Sequence, residues 1–171
     1  MDEAQRITFV IDLVRELSRY GRVGKTHVQK ATYFAQEAAH IDLGFKYVIH
    51  HYGPFSFDLD SFLQRLASQG TLEIQPDEDG YGYMVSVAED ELVTELDETV
   101  KGKVERIAAH LGGLSTRELE LKSTAYYIQK RLPDAKQDAW VREVRSLKPR
   151  FSEIEVTRAI KESQDISQAV S

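Results

Sequence analysis

Apolar residues recur at helical spacing through most of the chain. The clearest repeat follows Gly53-Pro54, where four apolar residues occupy positions i, i+3, i+4 and i+7 of one helical face. These residues are Leu59, Phe62, Leu63 and Leu66. Acidic residues in the first turn and Gly70 after the last turn are typical of the two ends of a helix. We therefore predict a helix that begins just after a Gly53-Pro54 turn and closes at Gly70.

Similar repeats predict six further helices. Their expected ranges are residues 4–19, 26–39, 90–111, 115–131, 135–145 and 152–163. Three of them are predicted to begin with a capping box, in which two side chains three residues apart satisfy free backbone N–H groups. The pairs are Thr26 with Gln29, Ser115 with Glu118, and Ser152 with Glu155. Residues 165–171 are expected to fray at the chain end.

Three short stretches have the β-branched and aromatic composition of strands: residues 47–49, 71–75 and 81–87. The second and third are joined at Asp79-Gly80, which favours a tight turn, so we predict a hairpin. An isolated hairpin is marginal in water. This hairpin must therefore pack on the helices or pair with residues 47–49.

The order of these elements indicates the fold class. Two short strands after three helices are typical of a winged helix, with the hairpin as the wing. We predict a mostly α-helical fold with a minor β component. Its winged-helix-like N-terminal half, residues 1–88, is expected to pack against a C-terminal helical bundle, residues 89–171, as one structural unit.

Composition is consistent with an ordinary globular domain. The 171 residues are enough to bury a core without disulfide bonds. A hydrophobic content of 42% and a charged content of 29% are not those of a disordered chain. The absence of cysteine excludes disulfides and thiolate metal sites and fits a cytoplasmic protein. No apolar run approaches the roughly 18 residues that span a bilayer, so we expect no membrane association.

Acidic residues concentrate in the middle of the chain. Between Gly53 and Glu95 there are ten carboxylates and one basic residue, Arg65. This range covers the third helix and the wing, the elements with which a winged helix usually contacts DNA. Because carboxylates repel phosphate, we expect no nucleic-acid binding through these two elements.

Two basic clusters lie outside the acidic segment, and we interpret both as solvated faces. They comprise Arg19, Arg22, Lys25 and Lys30 around the second helix, and Arg142, Arg145, Lys148 and Arg150 near the C-terminus. The first cluster supports an alternative function. In that alternative, a winged-helix transcription regulator, which could act as a homodimer, contacts DNA through Arg22, Lys25 and Lys30.

Patterns for catalysis or metal binding are missing from the sequence. GRVGKTH, residues 21–27, lacks the first glycine and the preceding strand of a phosphate-binding loop, and we interpret it as a corner between two helices. The five histidines have no zinc-ligand spacing, and His51 is expected to pack against the turn or bond to it. We predict a non-enzymatic protein without cofactor or metal, unless His51 and distant carboxylates converge.

Aromatic residues are dense around the predicted turn. Tyr52, Phe55 and Phe57 exceed what a turn requires. Two interpretations stay open. These side chains either pack beneath the following helix as core, or form an exposed anchor patch for another protein, where aromatic residues concentrate binding energy.

Two segments together resemble a known family. KTHVQKATYFAQ, residues 25–36, followed by HYGPFSFDLDSFLQRLASQG, residues 51–70, is similar to the Panacea domain of SocA-like bacterial antitoxins, and closer still to uncharacterised bacterial proteins of the YwgA type. Residues 147–152 also look like the end of those proteins. The resemblance implies a non-enzymatic protein of toxin–antitoxin or phage-defence loci that binds and neutralises a partner toxin. The matching motif residues are Tyr52, Gly53, Pro54, Ser56 and Leu59.

The leading hypothesis is a cytoplasmic protein-interaction module of the antitoxin or phage-defence kind, which binds and neutralises or regulates a partner protein. Its candidate contact residues are His51, Tyr52, Phe55 and Phe57 near the predicted turn, and Asp77, Glu78 and Asp79 at the wing tip. The wing carboxylates leave a third function open, an acidic nucleic-acid mimic that inhibits a DNA-acting enzyme.

Overall fold

Seven helices and two small β-hairpins form the part of the chain that the computed structural model describes, residues 1–78, 80, 82–88 and 95–171. In chain order they are α1 (Glu3–Ser18), α2 (Lys25–Glu37), β1 (Val48–His50), β2 (Gly53–Phe55), α3 (Phe57–Ser68), β3 (Leu72–Pro76), β4 (Tyr83–Val87), α4 (Glu98–Leu111), α5 (Thr116–Arg131), α6 (Gln137–Leu147) and α7 (Glu153–Val170). The predicted fold class, mostly α-helical with minor β structure, is confirmed.

The sequence predicted capping boxes at the starts of three helices, and two of the three are present. The capping boxes at Ser115 and Ser152 are present, which confirms both predictions. The box predicted at Thr26 is wrong, because α2 begins one residue earlier behind Gly24 and has no side-chain cap. Gln29 instead exchanges two hydrogen bonds with the backbone of Ser56, at 2.9 and 3.0 Å.

Two helix ends differ from the prediction. Helix α7 continues to Val170 rather than stopping near residue 163, because Ile166 and Val170 are buried in the core. Helix α4 begins only at Glu98, where the side chain of Asp97 caps it by accepting a hydrogen bond from the Thr99 N–H at 2.9 Å. Residues 90–94 of the predicted start of this helix lie outside the described residues.

Helix α2 is the centre of the molecule. Its residues 28–35 are all buried, which is the pattern of a helix covered on every side. It contacts α1, α4, α5 and α7 as well as both hairpins. The larger hydrophobic core accordingly draws on the N-terminal and C-terminal halves of the chain alike. A smaller core joins α5, α6 and α7 around Phe151.

Strands β3 and β4 form the predicted wing. They pair antiparallel from Leu72 opposite Val87 to Pro76 opposite Tyr83. Strand β4 also pairs with the corner between α1 and α2, where the Val85 N–H donates to the Val23 carbonyl at 2.8 Å. The wing packs on α1 and α3 rather than pairing with β1. The wing follows α3 directly, as predicted, although the β1–β2 hairpin comes between α2 and α3.

Strands β1 and β2 form a second hairpin, which the sequence did not predict. Pro54 pairs with Ile49, and Gly53 pairs with His50, so Gly53-Pro54 lies within a strand. The prediction of a turn at Gly53-Pro54 is therefore wrong. The connection is made by His51 and Tyr52, and Gly53 follows them with a φ of +86°, a conformation that glycine adopts without strain.

None of the described helices has both the length and the apolar character that crossing a membrane requires.

Candidate functional site

The β1–β2 hairpin has one face turned inward and one turned outward. Side chains alternate between the faces of a strand, and residues paired across two strands share a face. Pro54 is buried on the inner face. Val48, paired with Phe55, lies on the outer face and is 46% exposed. The hairpin therefore presents apolar side chains to solvent.

Aromatic rings extend this outer face into a continuous surface. The His50 and Phe55 ring centroids are 5.5 Å apart, and those of Phe55 and Phe57 are 5.0 Å apart. Tyr52, at the hairpin tip, lines a slot together with His50 and Phe55. We call Val48, His50, Tyr52, Phe55 and Phe57 the hairpin patch. Tyr52 is 55% exposed and Phe57 is 60% exposed, so their interpretation as core is wrong; Phe55 is half-buried.

His51 occupies the hairpin tip next to the patch. Its side chain is exposed, and its ring centroid lies 4.9 Å from that of His50. Its carbonyl accepts a hydrogen bond from the Lys148 ammonium, so the expected bonding at the turn is made by the backbone. The described residues include no group of three or more histidine, aspartate or glutamate side chains placed to hold a metal ion.

Ser56 fixes the passage from the hairpin into α3. Its side chain accepts a hydrogen bond from the Leu59 N–H at 3.2 Å and so caps the helix. Both of its backbone polar groups bond to Gln29, in the middle of α2. Because Ser56 is fully buried, Phe57 at the first helical position projects from a firmly held backbone.

Gly53 brings the hairpin into direct contact with α5. A Cβ atom at this position would lie 2.8 Å from Thr124 Oγ1 and 3.1 Å from the Glu120 carbonyl oxygen. Both distances are shorter than an ordinary van der Waals contact. Together with its positive φ, this close approach makes glycine the residue that fits here.

Two buried lysines bind the hairpin from below. Lys30, 1% exposed, donates a hydrogen bond to the Pro54 carbonyl at 2.6 Å. Lys148, 6% exposed, donates to the carbonyls of His50 and His51. Both strands of the hairpin and the tip residue His51 are thus attached to the helical body through their backbone carbonyls.

A single buried carboxylate lies beneath these lysines. Glu120 is 3.1 Å from the Lys148 ammonium and also pairs with Arg150. Within the described part of the chain, Lys30 has no carboxylate at ion-pair distance. Burial, and secondly the charge of Lys148, lower the pKa of Lys30 to about 7, against a smaller opposing effect of Glu120.

A slot of about 210 Å³ opens between the start of α2 and the hairpin. Thr26, Gln29 and Lys30 line it from α2. His50, Tyr52 and Phe55 line it from the hairpin. Lys25 also contributes to the wall; its ammonium pairs with Asp60 at 2.6 Å and lies 5.7 Å from the centroid of the exposed Tyr83 ring.

The wing carboxylates predicted as contact residues lie apart from the hairpin, at the loop between β3 and β4. Asp77 pairs with Arg22 at 2.7 Å and is largely covered, whereas Glu78 is exposed. Asp79 lies outside the described residues. The predicted contact set therefore separates into the hairpin residues and the wing residues.

The basic residues proposed for the alternative nucleic-acid contact do not form one free surface. Arg22 is exposed but paired with Asp77, and Lys25 is paired with Asp60. Lys30 presents no charge at the protein surface to the phosphate backbone of DNA, because it is buried and donates to Pro54. In the C-terminal cluster, Lys148 is buried as well, so its assignment to a solvated face is wrong.

No model of a known protein family matches the chain, and no curated protein is similar to it. The interpretation of the site consequently rests on its geometry and on the residues that build it.

The sequence-based prediction missed the roles of several important residues. Val48 and His50 were not assigned to the patch, although the alternation of a strand would have grouped them with the residues paired to them. Lys30 carries a weak signal, since it stands four residues before the buried Phe34 and so borders the apolar stripe of α2. Glu120 and Lys148 have no local signal, because their roles depend on contacts between distant segments.

Proposed function

We propose that this protein is a non-enzymatic interaction module that binds another protein through the hairpin patch. The partner is a toxin or a defence component encoded beside it, which it neutralises or regulates. The observation that carries this proposal is the exposure of Tyr52 at the hairpin tip and of Phe57 at the start of α3, next to the rings of His50 and Phe55.

The chemistry of the patch favours a protein partner. Scattered apolar side chains are common on protein surfaces, but a contiguous apolar patch usually marks an interaction site. Aromatic residues supply large contact area with few rotatable bonds, and they are enriched among the residues that dominate binding energy. Tyr52 adds a hydroxyl group that can bond to a partner at the rim.

The hairpin is also organised before binding. Its backbone is bonded to Lys30 and Lys148, and Gly53 lies against α5. A surface that is already ordered loses less conformational entropy when a partner binds. The patch therefore suits specific recognition better than an equally apolar but loose loop would.

The acidic residues near the hairpin patch indicate which charges the binding surface of a partner should carry. Asp58 is exposed directly beside Phe57, Glu78 is exposed on the wing, and the whole chain carries a net charge of −6. A partner with an apolar centre and lysine or arginine at the rim would match this arrangement and associate faster at low salt.

The resemblance to Panacea-type antitoxins supports the toxin-binding form of the proposal. The motif residues build the support of the patch: Gly53 contacts α5, Pro54 accepts the Lys30 bond, and Ser56 caps α3. Tyr52 of the same motif is in the patch itself. The stretch that carries the resemblance is thus the stretch that presents the candidate contact surface.

The test is coexpression with each neighbouring gene product, scored by rescue of growth and by copurification. We expect one product to be toxic alone, harmless in the presence of this protein, and copurified with it. Replacing both Tyr52 and Phe57 by alanine should weaken that complex by about 30-fold, or about 2 kcal/mol, and abolish rescue.

The matched control is Ile154→Ala, which removes a 74% exposed apolar side chain from α7. This variant should bind as the wild type does. Absence of any partner among the neighbouring products, or equal weakening by Ile154→Ala, would contradict the proposal.

A DNA-binding regulator is the alternative, and the winged-helix order of elements supports it. It requires binding to the promoter of its own gene with a steep salt dependence that Arg22→Ala with Lys25→Ala removes. Mobility-shift measurements at low salt decide between the two proposals.

A further inference from the structure

We propose that the slot between the start of α2 and the β1–β2 hairpin binds a small apolar monocarboxylate, whose charge pairs with Lys30. This inference goes beyond the proposed function and does not depend on it. The slot is lined by Lys30 and Thr26 on one side and by His50, Tyr52 and Phe55 on the other.

The charge of Lys30 is the first argument. An ammonium group carries three N–H donors, and the described contacts give Lys30 one acceptor, the Pro54 carbonyl. Buried charges are normally paired, because an unpaired charge loses its hydration without compensation. Lys30 is 1% exposed and lines a cavity, so a carboxylate entering the slot would supply the missing partner.

The surroundings of Lys30 add to this preference for an anion. Three cationic side chains, Lys30, Lys148 and Arg150, stand around one carboxylate, Glu120, which already pairs with the latter two. Helix α2 also begins without a side-chain cap, so the positive end of its dipole faces the region of Thr26. Asp60, which reaches the slot-lining Lys25, is neutralised by its ion pair with that lysine.

The remaining lining and the size of the slot define the apolar part of the ligand. Tyr52 and Phe55 offer ring surface to a ligand of similar character. The volume of about 210 Å³ is below the range of about 300 to 1,000 Å³ that is usual for drug-sized ligands. An aromatic ring or a branched aliphatic group carrying one carboxylate fits this description, whereas a nucleotide does not.

In the larger cleft beside the hairpin, the cationic side chains already have a carboxylate partner. It measures about 430 Å³ and is lined by Glu120, Lys148 and Arg150. These groups pair with one another, and Lys148 additionally bonds to two carbonyls. The slot beside Lys30 is therefore the better candidate for an anionic ligand.

Phenylacetate is a suitable probe, and phenylacetamide is its neutral control of nearly the same shape. Both are titrated into the full-length protein and followed by amide chemical shifts and by calorimetry. We expect saturable binding of phenylacetate with shifts centred on Thr26, Lys30 and Tyr52, and at least 10-fold weaker binding of phenylacetamide. Equal affinities, or shifts centred on another surface, would overturn the proposal.

Variants that remove one lysine charge test whether Lys30 binds the carboxylate. Lys30→Met should reduce phenylacetate affinity at least 10-fold, whereas Lys161→Met, at an exposed position on α7, should leave it unchanged. Unchanged affinity in a folded Lys30→Met protein would refute the assignment of Lys30.

If Lys30→Met does not fold, the pH dependence of phenylacetate binding to proteins that keep Lys30 tests the assignment instead. Because the pKa of Lys30 is lowered to about 7, phenylacetate affinity should fall several-fold between pH 6 and pH 9 as the ammonium loses its proton. The other titratable side chains around the slot are Lys25, Asp60, Lys148, Glu120, His50 and Tyr52. The variant His50→Gln should retain the pH dependence. Its loss in His50→Gln, or an affinity that is constant with pH in the wild type, would reject Lys30 as the binding group.

Discussion

The burial of Lys30 predicts that the free energy of unfolding of this protein rises with pH. Lys30 is 1% exposed and lacks a carboxylate partner among the described residues, so its charged form is disfavoured in the folded state. In the unfolded chain the same ammonium group is hydrated. Lys30→Met removes this difference while keeping a long unbranched side chain, and is therefore the perturbation of choice.

The sign follows from the proton balance. The pKa of Lys30 falls from 10.5 in the unfolded chain to about 7 in the folded protein, mainly through burial and then through the neighbouring Lys148. Between these values the unfolded state binds more protons, so the free energy of unfolding rises with pH. The cost of the buried charge is fully present below pH 7 and has vanished above pH 10.5.

The magnitude can be worked from the same values. The full shift corresponds to about 5 kcal/mol, since one pKa unit is about 1.4 kcal/mol. Within the practical range from pH 7 to pH 9, the wild type should gain about 2 kcal/mol relative to Lys30→Met. The lost hydrogen bond to Pro54 lowers the stability of the variant by about 1 kcal/mol at every pH and leaves this difference unaffected.

Urea unfolding at pH 7, 8 and 9 measures the effect. The difference in unfolding free energy between wild type and Lys30→Met should change steadily across the series, whereas the difference between wild type and Lys161→Met should stay constant. A constant difference for Lys30→Met would show that Lys30 does not change its protonation on folding, and would refute the reasoning.

Three further predictions concern how the site is held, and urea unfolding measures each of them. Gly53→Ala should lower the unfolding free energy by about 3 kcal/mol, because the new methyl group meets α5 in addition to the positive φ; Gly70→Ala, with a φ of +81° and open space around it, should cost only about 1 kcal/mol, and equal losses would contradict the clash. Ser115→Ala should lower the unfolding free energy by about 1 kcal/mol, because the cap of α5 is lost, whereas Thr26→Ala should be nearly neutral. A comparable loss in Thr26→Ala would show that Thr26 caps α2 after all. Deletion of residues 165–171 should cost about 3 kcal/mol, because Ile166 and Val170 are buried, and an unchanged stability would mean that this end of α7 frays after all.

Sequence patterns predicted the features that depend on near neighbours. The caps at Ser115 and Ser152 need only a glutamate three residues later, and both are present. Gln29 stands at the same spacing from Thr26, but its amide bonds to Ser56, 27 residues away. Nothing in the local pattern distinguishes these cases, because the choice depends on which backbone groups the tertiary fold brings to the side chain.

The hairpin shows the same limit at the site itself. Gly53-Pro54 carries the composition of a turn, and the sequence predicted one there. In the structure both residues are in β2. Gly53 packs closely against α5, and Pro54 pairs with Ile49 and accepts a hydrogen bond from Lys30. A glycine needed for close packing looks in sequence like a glycine needed for a bend.

This distinction separates the residues that build the site from those available for recognition. Gly53, Pro54 and Ser56 are fixed by the fold, because each is buried and bonded or packed against a helix. Folding makes no such demand on Tyr52 and Phe57, which bury less than half of their surface. Exposed aromatic rings favour association and reduce solubility, and their position on and beside an anchored hairpin supports the proposal that a partner covers them.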